Sequence, residues 1–254
     1  MDISTIPILA LKDNYIWTII NPHHRCALIV DPGEALPVIQ YFKQHHLTLS
    51  GILITHHHWD HTNGIAELMQ WQQVPIFAKQ QSIATTPVQE GDRITINPFL
   101  PTFQVMEIPG HTLDHLAFYD EESLFSGDTL FSAGCGRIFE GDAKQMYHSL
   151  QKMAALSDQT KIYCGHEYTQ NNLRFANEVE PENKIIHQRL QSVKKMIEEG
   201  LPTLPSTLQD EKSTNPFLRC EIESIIAKMQ DKMGRQLSNP IEVFAALREW
   251  KDNF

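Results

Sequence analysis

Cysteine is scarce in this 254-residue chain, which contains four, widely spaced and with no two in a C-x-x-C arrangement. This scarcity argues against a disulfide framework and a thiolate zinc site, so we expect reduced, buried thiols. Long apolar runs are also missing, because no stretch approaches the roughly 20 apolar residues that a membrane helix requires. The first residues lack a basic segment followed by an apolar core. We therefore expect a soluble cytoplasmic protein with no membrane partner.

Positive charge is scarce as well. Lys and Arg together number 21 against 31 Asp and Glu, and the formal net charge is −10. A nucleic-acid-binding protein usually has a basic surface, and this chain has no dense Lys/Arg run, so we expect no nucleic-acid partner. Hydrophobic residues make up 41% of the chain, which is enough to bury the core of one large domain or of a domain with an appendage.

The chain does have a dense group of potential metal ligands, the Thr-His-His-His-Trp-Asp-His sequence at residues 55–61. It follows the apolar run 51–54, which predicts a buried strand, and helical apolar spacing begins at residue 63. The alternatives are an affinity tag, a solvated polar loop or hydrogen-bonded core histidines. A tag would be terminal and uninterrupted, whereas this cluster is internal and contains Trp and Asp. We expect a binding site between a strand and a helix.

The spacing inside the cluster indicates two ions. His56 and His58 are two residues apart, so they can reach one ion from the same side of an irregular loop. Asp60 and His61 lie beyond a turn and can face a second ion. His57 is out of step with this alternation, and we expect it not to be a ligand. Imidazole with carboxylate suits zinc, iron or manganese.

Three later strand-like runs each end in glycine followed at once by a residue of ligand type. They are 103–108 before His111, 123–125 before Asp128, and 161–164 before His166. Each pair alone is more often an ordinary turn, but glycine allows a sharp turn that could deliver the next side chain to a common rim. Together with the first cluster, these residues would supply enough ligands for two ions with a bridging carboxylate.

The rest of the pattern predicts an α/β arrangement followed by helices. Residues 3–31 resemble a meander of strands, 35–46 a helix and 74–78 a strand, whereas after residue 168 no strand is expected. The predicted C-terminal helices are 169–180, 182–199, 219–233 and 240–251. The Pro-, Ser- and Thr-containing stretch 201–215 is predicted to be a loop, with the helices packed onto the sandwich.

Several motifs together resemble the hydroxyacylglutathione hydrolases, also called glyoxalase II, of the metallo-β-lactamase superfamily. They are LKDNY at 11–15, THHHWDH at 55–61, PGHT at 109–112, SGDT at 126–129, GCGRIFEG at 134–141, CGHEYTQNNLRFA at 164–176, NPFLR at 215–219 and LREWKD near the end. The resemblance implies a four-layer αββα metallo-β-lactamase sandwich over residues 1–168. It also implies an α-helical substrate-binding domain over 169–254.

The resemblance further implies a role for each ligand-type residue. His56, His58 and His111 would hold one metal, Asp60, His61 and His166 the other, and Asp128 would bridge the two. Asp60 and Asp128 would be the catalytic residues, acting with a hydroxide that bridges two divalent metals, expected to be zinc, with iron or manganese as alternatives. The implied reaction is hydrolysis of S-D-lactoylglutathione to glutathione and D-lactate by a monomer, the second step of methylglyoxal detoxification.

Glutathione recognition is implied for Arg137, Tyr168, Arg248 and Lys251. From spacing alone, Arg248 and Lys251 share one face of a terminal helix, which also fits a solvated surface pair. Phe139 departs from family members that have tyrosine there, so a hydroxyl contact to glutathione is not expected.

Candidates for holding the ligand imidazoles in place are Asp31, Asp114 and His115, with a plain turn as the alternative for Asp31.

The rival functions are a persulfide dioxygenase, a lactonase, a phosphodiesterase or nuclease, and a non-catalytic binding protein of the same fold. The full second ligand set disfavours the dioxygenase, the acidic charge disfavours the nuclease, and the glutathione-site match disfavours the lactonase. A non-catalytic copy would be expected to have lost ligands.

Overall fold

The computed structural model describes residues 3–254. Its strands are β1 (Ser4–Ala10), β2 (Asn14–Asn21), β3 (Cys26–Val30), β4 (Thr48–Leu53), β5 (Ile76–Ala78), β6 (Thr86–Pro87), β7 (Arg93–Ile94), β8 (Phe103–Glu107), β9 (Leu116–Tyr119), β10 (Ser123–Gly127), β11 (Leu130–Phe131), β12 (Gly134–Cys135), β13 (Lys161–Cys164) and β14 (Ser206–Thr207).

Its helices are α1 (Leu36–His45), α2 (Trp59–Thr62), α3 (Ile65–Trp71), α4 (Ala143–Ala154), α5 (Thr169–Val179), α6 (Lys184–Glu198), α7 (Leu208–Thr214), α8 (Glu223–Met233) and α9 (Pro240–Asp252). A short 3-10 helix covers Pro216–Leu218. None of the helices in residues 3–254 has both the length and the apolar character needed to cross a bilayer.

The chain forms two compact units. The first comprises residues 3–107, 114–127 and 163–167, and the second comprises 108–113, 128–162 and 168–254. Each unit is therefore built from segments that are distant in sequence.

The first unit contains a six-stranded mixed sheet with the order β1-β2-β3-β4-β5-β6. The pairs β1–β2 and β2–β3 are antiparallel, and the pairs from β3 to β6 are parallel. Parallel pairs need a crossover, which α1 provides between β3 and β4 and α3 between β4 and β5, whereas residues 79–85 connect β5 to β6 without a helix. Val38, Phe42 and Leu68 from these helices are fully buried in one core cluster with the strand residues. The predicted alternation of strand and helix in this region is confirmed.

A second sheet in the first unit has the order β10-β9-β8-β7, and the last two residues of β13 lie next to β10. Aromatic side chains connect it to the first sheet. The Trp17 indole donates to the Cys164 carbonyl at 2.8 Å, and its ring meets Tyr163 edge-on at 4.8 Å. Phe125 stacks on Tyr163 at 5.0 Å and meets Phe103 at 5.7 Å. The two sheets therefore face each other across an apolar core.

The second unit is mainly helical, and α5 packs against α6. Leu173, Ala176, Ile186 and Val193 form a buried cluster there with Ala133. A second group of contacts joins α4, α9 and the 3-10 helix through aromatic rings. Within it, Phe244 lies 6.1 Å from Tyr147 and 5.6 Å from Phe217. Helices dominate after residue 168, but the expectation of no strand there is wrong, because β14 lies at Ser206–Thr207.

Two local predictions are wrong. The stretch 201–215 is not a loop, because β14 pairs with β13 and α7 follows it. Thr207 and Asp210 form a capping box that starts α7, with each residue bonding the other's backbone N–H. The third C-terminal helix also begins later than residue 219, at Glu223.

Candidate metal centre

The ligand cluster of the first unit lies where β4 ends, as the sequence predicts. One detail differs, because the short helix α2 begins at Trp59, before the predicted helix start. Asp60 and His61 are therefore on a helical turn, whereas His56 and His58 precede it. This change of backbone direction separates the two pairs.

Asp60, His61 and His166 form one convergent set, with one donor atom from each lying within 4.8 Å of the others. Asp60 Oδ2 lies 3.6 Å from His61 Nε2 and 3.4 Å from His166 Nε2. Two ligands held about 2.1 Å from a tetrahedral ion would be about 3.4 Å apart. The spacing of this set therefore fits a divalent cation.

His56 and His58 form a second close pair, with 3.0 Å between His56 Nε2 and His58 Nδ1. His56 is 1% exposed, and its ring stacks against His115 at 4.5 Å. The odd member, His57, has Nδ1 2.9 Å from Asp114 Oδ1. The alternation that the sequence predicts across this run is consistent with these contacts.

Several imidazoles of the cluster are hydrogen-bonded at Nδ1 to neighbouring polar groups. His61 Nδ1 lies 3.0 Å from Asp31 Oδ2, and His166 Nδ1 lies 2.9 Å from Asp13 Oδ1. A carboxylate can only accept, so each Nδ1 is protonated, which is the tautomer that a metal bound at Nε2 would require. His56 Nδ1 lies 3.0 Å from Thr55 Oγ1, the hydroxyl that donates to Asp31. These bonds fix the orientation of all three rings through Nδ1.

Asp31 is the centre of this support. Its carboxylate accepts from the Thr55 backbone N–H at 2.8 Å and the Thr55 hydroxyl at 2.6 Å, as well as from His61. Asp31 is 4% exposed and has a φ of +54°, a left-handed conformation that Asp tolerates better than most residues. The predicted contact between Asp31 and an imidazole of the predicted ligand set is present at His61.

The other two candidates for this supporting role behave differently. Asp114 bonds His57, which is not in the predicted ligand set. His115 is fully buried, stacks on His56, and has Nδ1 3.0 Å from the Leu116 carbonyl. It therefore supports the ring of the predicted ligand His56 by packing.

In the second unit, His111 and Asp128 lie together, with 3.7 Å between His111 Nε2 and Asp128 Oδ2. His111 Nδ1 donates to the Arg137 carbonyl at 2.8 Å, which again is the tautomer that a metal bound at Nε2 would require. A Cβ on Gly136 would lie 1.9 Å from the Asp128 carbonyl oxygen and 3.0 Å from His111 Nδ1. Only glycine allows this close approach.

Two of the glycines that precede ligand-type residues are required by the backbone. Gly110 has a φ of +153°, and a Cβ there would lie 2.8 Å from the Met146 backbone. Gly127 has a φ of +48°, and a Cβ there would lie 2.4 Å from Thr55 Oγ1. The sequence-based argument that these glycines permit a sharp turn or close packing is confirmed at both sites.

The predicted substrate-contacting residues all belong to the second unit. The Arg137 side chain is 63% exposed, with Nε 3.6 Å from Asp252 Oδ1. Tyr168 precedes α5, and its ring meets Phe131 edge-on at 5.3 Å. Arg248 and Lys251 lie on α9. A solvated surface pair is wrong for Arg248, which is 6% exposed and donates to the Cys135 carbonyl at 2.9 Å.

Two ionisable groups near these residues are shifted by burial. Burial and the neighbouring Arg248 lower the pKa of Lys251 from 10.5 to about 8. Burial raises the pKa of the Cys135 thiol to about 11, although Arg248 Nη1 lies 3.7 Å from its sulfur. All four cysteines are buried and free of disulfides, which confirms that prediction.

Three supporting residues were not assigned a role from the sequence: Asp13, Asn14 and Thr55. Asp13 and Asn14 belong to the LKDNY motif, and Thr55 begins the THHHWDH motif. The motifs themselves were therefore the available signal.

Comparison with known proteins gives a consistent result over the whole chain. The model of the metallo-beta-lactamase superfamily matches residues 15–166, and that of the hydroxyacylglutathione hydrolase C-terminus matches 167–254. A hydroxyacylglutathione hydrolase of Psychromonas ingrahamii is 46% identical, with 99% of each chain covered. Hydroxyacylglutathione hydrolase 2 of Vibrio vulnificus is 48% identical, with 100% of each chain covered.

A solved structure, ETHE1 from Myxococcus xanthus, covers 99% of this chain and 98% of its own. It is 24% identical with a TM-score of 0.66, which shows a shared fold. The predicted metallo-β-lactamase fold with a helical C-terminal region is confirmed.

Proposed function

The chain belongs to the hydroxyacylglutathione hydrolase family of the metallo-β-lactamase superfamily, and we propose that it hydrolyses S-D-lactoylglutathione to glutathione and D-lactate at a pair of divalent metals. The observation that carries the metal-dependent chemistry is the convergence of Asp60 Oδ2 with the Nε2 atoms of His61 and His166. The proposed substrate is supported by the 46% and 48% identity, over the whole chain, to relatives named hydroxyacylglutathione hydrolase.

We infer a division of the seven ligand residues between two cations. His56, His58 and His111 would hold the first, Asp60, His61 and His166 the second, and Asp128 would bridge them. Zinc suits this imidazole and carboxylate set, and iron and manganese accept the same donors. When bound, the two cations supply Lewis acidity that lowers the pKa of water and polarises the thioester carbonyl.

The chain's own residues would prepare this chemistry. Asp31, Asp13 and the Arg137 carbonyl accept from Nδ1 of His61, His166 and His111, which is the tautomer in which Nε2 would coordinate a metal. Asp60 and Asp128 supply the negative charge that balances the cations. The glutathione thiolate is a good leaving group and takes its proton from water after it departs, so the reaction needs no dedicated proton donor.

Glutathione carries two carboxylates, and the second unit has positively charged side chains that could bind them. We propose that the glutathione moiety is contacted by Arg137, Tyr168, Arg248 and Lys251. Of the two arginines, Arg137 has the more exposed side chain. Arginine can grip a carboxylate with two hydrogen bonds, whereas lysine acts as a point charge. Residues 1–168 would then form the catalytic domain and 169–254 the substrate-binding domain of a cytoplasmic monomer, with small molecules as its partners.

The test is thiol release from S-D-lactoylglutathione, followed with a thiol-reactive dye and combined with a metal count per chain. We expect release to require bound metal and to stop after dialysis against a chelator. His61→Ala should lower kcat/KM by at least about 100-fold, because it removes a ligand and its electrostatic contribution to the transition state.

His57→Ala is the matched control, since it removes an adjacent imidazole that bonds Asp114. It should retain most of the activity. Chelator-resistant turnover, or equal losses in the two variants, would contradict the assignment. If wild-type protein binds two metals but releases no thiol, a lactone, a phosphodiester and a glutathione persulfide are the substrates to try next.

A further inference from the structure

The motif Leu-Lys-Asp-Asn-Tyr at residues 11–15 contains none of the proposed metal-ligand or glutathione-contacting residues, yet two of its side chains bond members of the Asp60–His61–His166 set. Asp13 Oδ1 accepts from His166 Nδ1 at 2.9 Å. The next residue, Asn14, donates its side-chain amide to Asp60 Oδ2 at 3.1 Å and to the Asp60 carbonyl at 3.3 Å. Two consecutive side chains therefore support two different members of one ligand set.

The backbone holds this motif in place. Asn14 forms an isolated antiparallel bridge with His166, and the Glu167 N–H donates to the Asp13 carbonyl at 2.9 Å. The Tyr15 N–H donates to the Gly165 carbonyl at 2.8 Å, and the Tyr15 hydroxyl donates to Glu167 at 2.6 Å. The turn before β2 and the segment that carries His166 are thus locked together on both sides of the ligand.

We propose that Asp13 and Asn14 are positioning residues that set the cation affinity of the Asp60–His61–His166 set. This inference rests on the proposed two-metal centre. It assigns to the motif a selective task, which is to strengthen binding at one of the two metal positions without affecting the other.

The two residues act by different physical means. The Asp13 carboxylate fixes the Nδ1–H tautomer of His166 and makes its Nε2 a stronger donor. Asn14 is 6% exposed, and its amide fixes the orientation of the same Asp60 oxygen that faces His61 and His166. A hydrogen bond to a charged carboxylate is among the stronger ones, so its geometry is well defined.

The other metal position has neutral support by comparison. His56 Nδ1 bonds the Thr55 hydroxyl, and His111 Nδ1 bonds the Arg137 carbonyl. His61 and His166 are instead both supported by carboxylates, Asp31 for the first and Asp13 for the second. Loss of Asp13 therefore removes negative charge from the surroundings of one metal position and leaves the partners of the other unchanged.

The experiment measures both metal affinities of the holoenzyme by equilibrium competition with a zinc chelator of known affinity. Wild-type protein should give two zinc ions per chain. Asp13→Ala should lower the affinity for one zinc ion by about 10-fold to 100-fold and leave the affinity for the other within about twofold of wild type. Asp13→Asn retains an acceptor oxygen without the charge, so its loss should be intermediate. Asn14→Leu should weaken the same zinc by about tenfold.

Asp114→Asn is the matched control, because Asp114 makes an equivalent bond at 2.9 Å to His57, which is not in the ligand set. It should bind both zinc ions as wild type does. Wild-type affinities in Asp13→Ala and Asn14→Leu would overturn the inference, as would an equal loss of both ions. The intermediate value for Asp13→Asn separates charge support from general destabilisation, and thermal unfolding identifies a variant that has not folded.

The result also separates this inference from the proposed function. If the variants lose one zinc selectively but wild-type protein releases no thiol, the positioning role is supported and the proposed substrate is refuted. If the variants lose that zinc and still release thiol at the wild-type rate, both the positioning role and the proposed substrate are supported.

Discussion

Lys251 should make substrate binding depend on pH in the mildly alkaline range. Its pKa is lowered from 10.5 to about 8 because its ammonium group is partly buried and lies near Arg248. By the titration curve of a single site, about 90% of the side chain is charged at pH 7 and about 10% at pH 9. If the charged form contacts a glutathione carboxylate, that contact weakens across this interval.

The size of the effect follows from the strength of one such contact. Lys251 is partly exposed, so about 1.4 kcal/mol, or a factor of ten, is a reasonable value at the lower end for charge-assisted hydrogen bonds. With about 10% of the side chain still charged at pH 9, KM should rise roughly fivefold between pH 7 and pH 9. The contact is made to a part of the substrate that does not react, so kcat should not change.

Two substitutions test whether Lys251 is the titrating group. Lys251→Arg stays charged at pH 9, so its KM should be nearly constant over the interval. Lys251→Met should have a raised KM at every pH, also without the alkaline increase. Initial rates of thiol release at several substrate concentrations give kcat and KM separately. The same fivefold increase in Lys251→Arg would refute the reasoning and assign the effect to the substrate's own amine or to another residue.

Protein stability should change in the opposite direction. The folded state has the lower pKa, so between pH 8 and 10.5 it binds fewer protons at Lys251 than the unfolded chain does. Unfolding then takes up protons, and the contribution of this residue to stability rises with pH in that window. A urea series on wild-type protein and Lys251→Met would therefore show the difference between them shrinking as pH increases. Weaker binding together with higher stability is not expected from general alkaline damage.

Three further results are expected. Asp31→Ala leaves the Thr55 N–H, the Thr55 hydroxyl and His61 Nδ1 without their buried acceptor, so unfolding in urea should show a loss of at least about 3 kcal/mol, and Asp31→Asn should lose less. Phe139→Tyr adds the hydroxyl that the family resemblance leads us to expect at this position, so KM for S-D-lactoylglutathione should fall by up to about tenfold at constant kcat; an unchanged KM would show that this position does not reach glutathione. Acid should strip the metal as the ligand imidazoles protonate, and a full metal complement after dialysis well below pH 5 would contradict imidazole ligation.

Sequence reasoning located the candidate ligands because they follow a local rule. Each lies shortly after a buried strand, and glycine or a run of histidines is found at these positions. The structure explains the glycines at positions 110 and 127, because both have positive φ and no room for a Cβ. Such signals lie within a few residues of the ligand, so one chain is enough to read them.

The supporting contacts could not be predicted in the same way. Asp13 and His166 are 153 residues apart in the chain, and their contact depends on the pairing of β2 with the segment after β13. Sequence spacing carries no information about such a pairing. The short helix at Trp59–Thr62 was missed for another reason, since four residues are too few for a helical apolar period.

The missed helix α7 is different, because its signal was present. Thr207 and Asp210 have the spacing of a capping box, and the apolar residue Leu208 follows the cap. The composition of 201–215, with several Pro, Ser and Thr residues, indicates a loop, whereas the capping-box spacing indicates a helix. In this stretch the capping-box spacing is the correct indicator.

The importance of α7 lies in what it holds. Glu211 on this helix is fully buried and accepts from the Ala133 N–H at 2.6 Å and from Arg189 at 3.1 Å. Ala133 has a φ of +54° at the turn between β11 and β12, a conformation that costs energy for a residue with a Cβ. Asn215, just after α7, donates to the Gly134 carbonyl at 2.9 Å. The C-terminal helices thus fix one end of the segment that follows Asp128.

The other end of that segment is fixed by α9. Arg248 binds the Cys135 carbonyl, and two residues later the Arg137 carbonyl holds His111. The proposed metal ligand His111 and the candidate glutathione-binding Arg137 are therefore attached to the same short piece of backbone. Because Arg248 is buried against this piece, its replacement by methionine would displace both groups together. We infer that Arg248→Met would raise KM and weaken metal binding at once, whereas a residue that only contacts glutathione would change KM alone.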